Sequence, residues 1–151
     1  MGTTGSTAVT PGPVMVALGG VAVVLGGLVA AVTGPAGWAK GSWAAAYLVL
    51  VVGVAQYVMG RMRPGDARPD RAGWAQLAGW NLGSFLVVGG TLAATPLLVD
   101  LGSVLLVVAL VLALLAALPG RSGLVGHAYL AMLLVLAVSI PVGIVLSHLR
   151  N

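Results

Sequence analysis

Few residues in this chain could do chemistry, and nearly all of them lie in or beside long apolar runs. Asp100 is the single acid inside such a run. A carboxylate in a membrane interior can exchange a proton for a cationic substrate, which makes it a functional candidate by default. It also stands about one turn into its helix, where the positive end of the backbone dipole and nearby water favour an anion. The competing reading is therefore an interfacial acid paired with Lys40, His148 or water. His127 and His148 are the only histidines, and imidazole is the common side-chain ligand of haem and metal ions. They fall on one predicted helix, twenty-one residues apart, which at 1.5 Å per residue is about 31 Å. They cannot share one metal ion or one haem, so no metal site is expected. Haem bound by His127 with a ligand from another subunit is an alternative, set against an interfacial side chain.

Gln56, Gln76 and His127 form a second set. Each lies five or six residues from Arg61, Arg71 or Arg121, hence at a similar depth of roughly 8 Å, and three helices could meet there through polar groups. Asn81 is deeper and should bond to a neighbouring helix. Such groups act either as glue between helices or as the floor of a small polar pocket. Ser84, Ser103 and Ser139 have no base nearby, which leaves nucleophilic catalysis unsupported. The absence of cysteine excludes disulfides and thiol chemistry. Gly19-Gly20, Gly26-Gly27 and Gly89-Gly90 sit inside apolar runs and read as packing positions, with no phosphate-binding loop.

The elements that hold these residues are set by composition. With 60% hydrophobic and 7% charged residues over 151 positions, and a mean hydropathy of +1.10, the chain departs far from the roughly one-quarter charged composition of soluble domains. An all-α integral membrane bundle fits. Five stretches are apolar enough for spans, at about 14–32, 42–60, 74–94, 97–118 and 124–147, after a disordered tail over 1–13. The N-terminal Met-Gly-Thr-Thr-Gly-Ser matches a myristoylation pattern by letter, against the plainer reading of a short tail. No Lys or Arg precedes the first run, so a retained helix is expected and not a signal peptide.

Within these spans, small residues recur every four positions at Ala22, Gly26 and Ala30, and again at Ala75, Gly79 and Gly83, offering faces for close helix approach. Trp38, Trp43, Trp74 and Trp80 fall near predicted helix ends, as rings that favour headgroups do. Thr95-Pro96 reads as an N-cap followed by the first helical residue. Pro141 should free the carbonyl of Ala137 and kink the last helix.

The one long polar interruption, 61–71, holds Arg61, Arg63, Arg68 and Arg71 with Asp66 and Asp70. Its net charge of +2 is too small for an electrostatic lipid cluster, and it reads as a topology anchor. Placing it inside also puts Arg121 inside and leaves Lys40 and Arg150 outside. This predicts a cytoplasmic N-terminus and an external C-terminus. Seven basic residues so dispersed do not make a nucleic-acid surface. The Ala/Val/Gly/Leu/Arg-rich usage points to a high-GC bacterium and hence to an inner membrane.

The run Leu48–Gly60, the arginine and proline loop, Trp80-Asn81-Leu82-Gly83 and Gly126-His127-Ala128-Tyr129-Leu130 together resemble helices of haem-copper oxidase subunit I and related membrane proteins. Members of that family bind haem and copper through several histidines. Only His127 stands at a matching kind of position here, with Tyr47 near where another would be sought. The resemblance therefore implies neither the metal set nor the oxidase activity. The reading that follows is a small multi-pass inner-membrane protein without evident catalytic site, acting as a subunit, scaffold or assembly partner through its small-residue faces. Its expected partners are the bilayer and a second copy or other membrane proteins. The alternatives are a proton-coupled transporter using Asp100 and a haem protein using His127.

Overall fold

The computed structural model describes residues 9–63, 70–118 and 123–149, with the backbone alone for 141–149. Among these residues every regular element is helical: α1 (Pro11–Thr33), α2 (Gly41–Arg61), α3 (Arg71–Leu92), α4 (Pro96–Ala117) and α5 (Leu124–Leu149). Three of them, α1, α2 and α4, are long and apolar enough to cross a membrane. The described side chains of α5 form a shorter apolar stretch, Leu124–Ile140. Gln76, Asn81, Ser84 and Thr91 make α3 less apolar.

α1 begins earlier than its apolar pattern suggests. Pro11 and Pro13 occupy its first turn, where a missing N–H costs nothing, so residues 11–13, expected in the tail, belong to the helix. Of that tail, 1–8 lie outside the described residues. The buried positions Gly12, Met15, Gly19, Ala22 and Gly26 advance in alternating steps of three and four, the seam of a helix pair packed knobs-into-holes. The expected four-residue ladder is thus corrected to a seven-residue repeat. Gly27 has nothing near it, and Ala30 faces outward. The seam meets α2 at backbone distance. A Cβ on Gly19 would stand 2.7 Å from Tyr57 N, and one on Gly60 would stand 2.7 Å from Gly12 O.

The middle of α2, Leu48–Ala55, is π-helical, a feature the sequence reading did not contain. Its placement has a geometric consequence. Positions Ala45, Val49 and Gly53 meet α1, while Tyr47, Val51, Ala55 and Met59 join the core on another side. Both rows step by four. In an α-helix of 3.6 residues per turn each such step drifts by about 40°. The wider i→i+5 turn counters that drift, so each row keeps its neighbour along the helix.

Among the described residues the α1–α2 hairpin is the most extensive pairing, and the α3–α4 hairpin comes next. Its tightest point is Gly83 against Gly102, where a Cβ on either glycine would lie within 2.8 Å of the other's carbonyl oxygen. The turn between them follows from its residues. Ala94 adopts φ 52° and Thr95 N–H bonds Gly90 O at 2.8 Å, which closes the end of α3 as a Schellman motif. Pro96 then starts α4 with Thr95 as its N-cap. The Thr95 side chain makes no capping bond, however, and its hydroxyl turns back to Ala93 O. The ammonium of Lys40 donates to Thr91 O, tying the α1–α2 turn to the negative end of α3. α3 meets both helices of the first hairpin, while α5 lies along α4. The helix of α5 continues past Pro141. The core they enclose includes Met15, Met59, Trp80, Leu106, Leu110, Tyr129 and Leu133.

Candidate functional site

The polar residues converge at the α2–α3 interface. α2 ends after Arg61, and its next residues bring Arg63 back across the entry of α3. Asp70 is the N-cap of α3, accepting Gly73 N–H at 2.7 Å. Asp is a strong capping residue at this position. Arg63 binds the same carboxylate at both oxygens, Nε to Oδ2 at 2.5 Å and Nη2 to Oδ1 at 2.9 Å. The Arg63 side chain is only 7% exposed and that of Asp70 26%, so this is a largely buried, bidentate pair. The guanidinium hydrogen-bonded to Asp70 holds its carboxyl below the usual range; partial burial opposes this and the Gly73 amide adds to it.

Arg63 Nη1 also donates to Gln76 Oε1, and Gln76 Nε2 donates to Met59 Sδ at 3.4 Å. These bonds fix the depth at which α2 and α3 face each other. Farther along, the Tyr47 and Ser84 hydroxyls lie close enough to interact without forming a well-aligned hydrogen bond. Between these two meeting points lie Gln56 on α2 and Trp80 on α3, both fully buried.

The structure buries both Gln56 and Gln76 completely and places the other candidates elsewhere. His127 is exposed in the first turn of α5, with Nδ1 2.8 Å from Gly123 O, and does not meet the two glutamines. Asn81 bonds Leu77 O of its own helix at 2.8 Å, where a bond to a neighbouring helix was expected. Asp100 is half-buried just past the first turn of α4, with Oδ1 shut off from solvent. His148 lies where side chains are not described. Among the described residues no group of three metal-ligating side chains occurs.

Of the proposed anchor residues, Arg61 and Arg71 are exposed, Arg63 is neutralised by Asp70, and Arg68 lies outside the described residues. Trp38, Trp43 and Trp74 are partly exposed, but Trp80 is a core residue and not a headgroup ring. Two participants escaped the sequence reading, Asp70 as a cap and Trp80 as an interior donor. An Asp three residues before a helical glycine was the available signal for the first; nothing in the sequence marked the second. Comparison with protein-family models, curated proteins and solved structures finds no match.

Proposed function

We propose that the chain is a five-span protein of a bacterial inner membrane, with its N-terminus cytoplasmic and its C-terminus external. Its role is that of a subunit, scaffold or assembly partner of a membrane complex. The observation that carries this reading is an open depression of about 370 Å³ on the outer side of the α1–α2 hairpin. It is lined by Gly26, Gly27, Ala30, Ser42, Ala46 and Leu50 among others. Gly12, Gly19, Gly53 and Gly60 are taken up in pairing α1 with α2, whereas Gly27, Ala30, Ser42 and Ala46 present a shallow, small-residue face outward. In lipid such a face lets another helix approach closely, where dispersion rather than hydrophobicity drives association. Nothing lies within 4 Å of a Cβ placed on Gly27, so Gly27→Leu fills the depression without disturbing the hairpin. Native mass measurement from mild detergent should show wild type above the mass of one chain or with a bound partner, and Gly27→Leu reduced to the single chain. A strictly monomeric, partner-free wild type refutes the reading.

A second reading, a small proton-coupled transporter, is favoured by the sealed Oδ1 of Asp100, since a carboxylate shielded from water is the usual seat of proton exchange. Flux into proteoliposomes that is unchanged by Asp100→Asn removes it.

A further inference from the structure

The core around α2 and α3 carries more hydrogen-bonding capacity than the protein itself uses. Gln56 is fully buried, and neither its Nε2 nor its Oε1 has a hydrogen-bond partner among the described residues; the same holds for Trp80 Nε1. Ser84 Oγ and Tyr47 Oη, at the far meeting point of the two helices, are buried without a formed bond. Left dry, each such group carries the cost of a lost hydrogen bond. That all four lie on α2 and α3, two helices that meet in the core, argues against independent packing accidents. Together they offer two amide donors, an indole donor, an amide oxygen and two hydroxyls, with no formal charge. That inventory suits a small neutral molecule able to donate and accept at once. Water needs two to four such partners to be held in a protein interior.

We propose that Gln56 and Trp80 hold internal water in the core where α2 meets α1 and α3, extending toward Ser84 and Tyr47. At the other end the site is closed by the Arg63–Asp70 pair through Gln76. The π-helical stretch of α2 ends where this site begins, at Gln56, and such widened turns recur at functional sites. From Asp70 to Ser84 the polar file covers fourteen residues of α3, about 21 Å at 1.5 Å per residue.

The full chain in lipid nanodiscs, labelled with ¹⁵N-tryptophan, gives a direct readout. The Trp80 indole resonance, assigned by its loss in Trp80→Phe, should show a magnetisation-transfer cross-peak to water despite complete burial. It should keep that cross-peak in Ser84→Ala and in Tyr47→Phe, which removes relay through either hydroxyl. A wild-type Trp80 indole without a water cross-peak overturns the proposal, and so does a cross-peak that disappears in either hydroxyl variant. Gln56→Leu should remove the cross-peak and lower the thermal midpoint, because displaced water leaves the indole unpaired. A raised midpoint marks a dry site and refutes the proposal. Asp70→Asn should speed Trp80 indole exchange at least several-fold by loosening the closure, and an unchanged rate refutes the closing role of the ion pair. If Trp80→Phe does not fold, the losses in Trp38→Phe, Trp43→Phe and Trp74→Phe assign the Trp80 indole by elimination, and the wild-type measurement stands.

Discussion

Adjacent glycines on α1 provide a sharp prediction, because Gly19 and Gly20 differ in surroundings and in nothing else local. A Cβ at Gly19 would stand 2.7 Å from Tyr57 N and 2.8 Å from Gly53 O, where ordinary contact begins at 3.4 Å; around Gly20 nothing lies within 4 Å. The obstructing atoms of α2 are backbone and cannot rotate away, so Gly19→Ala must push the helices about 0.7 Å apart locally. Overpacking of this kind costs about 1–3 kcal/mol. The intrinsic gain of Ala over Gly in a helix returns at most about 1 kcal/mol. Gly19→Ala should therefore destabilise by about 1–2 kcal/mol, while Gly20→Ala is neutral or stabilising by up to about 1 kcal/mol. Reversible unfolding by SDS titration in mixed micelles, followed by tryptophan fluorescence and circular dichroism, measures both. Equal effects for the two variants would refute the assignment of the α1 seam.

Other consequences follow from the same geometry. Arg63→Met should cost less than Asp70→Asn, since the latter leaves a 93%-shielded guanidinium unpaired; unfolding titrations should place Asp70→Asn at about 2 kcal/mol, below the 3–5 kcal/mol of a fully buried pair. Because the Asp70 pKa is lowered in the folded protein, its stabilising contribution is complete above the unfolded carboxylate value of about 3.9 and is lost as pH falls through the folded value. Unfolding midpoints across pH 2–6, scaled roughly to that window, should show this loss in wild type and not in Asp70→Asn. Ala94, at φ 52°, should gain up to about 1 kcal/mol on replacement by glycine, read as a higher thermal midpoint.

The helices themselves were legible from the sequence, and their facing was not. Thr95-Pro96 marked the α3–α4 turn because a proline can start a helix and cannot continue one, and the structure starts α4 at Pro96. By contrast, a residue packed against another helix and one turned to lipid are both apolar. Ala30 and Gly26 therefore look alike in sequence although only Gly26 is buried. This is why the small-residue ladder was read with a period of four when the packed seam steps by three and four. The π-helical stretch falls where α2 packs against α1 on one side and the core on another, and no single residue marks it. Within the candidate site, Gln56 and Gln76 were recognisable as polar residues at similar depth. The pairing of Arg63 with Asp70 was hidden because both lie in a loop rich in charges of both signs, where any of several partners fits.

The span assignment rests most heavily on α3, the helix with the most polar residues and the one whose ends decide whether five spans exist. The chain contains no cysteine, so single cysteines placed by Gly65→Cys and Thr95→Cys can be probed in intact cells with a membrane-impermeant maleimide. In a five-span protein with a cytoplasmic N-terminus, position 95 is labelled from outside and position 65 only after the membrane is opened. Labelling of both positions from the same side would show that α3 does not span, and would contradict the five-span architecture directly.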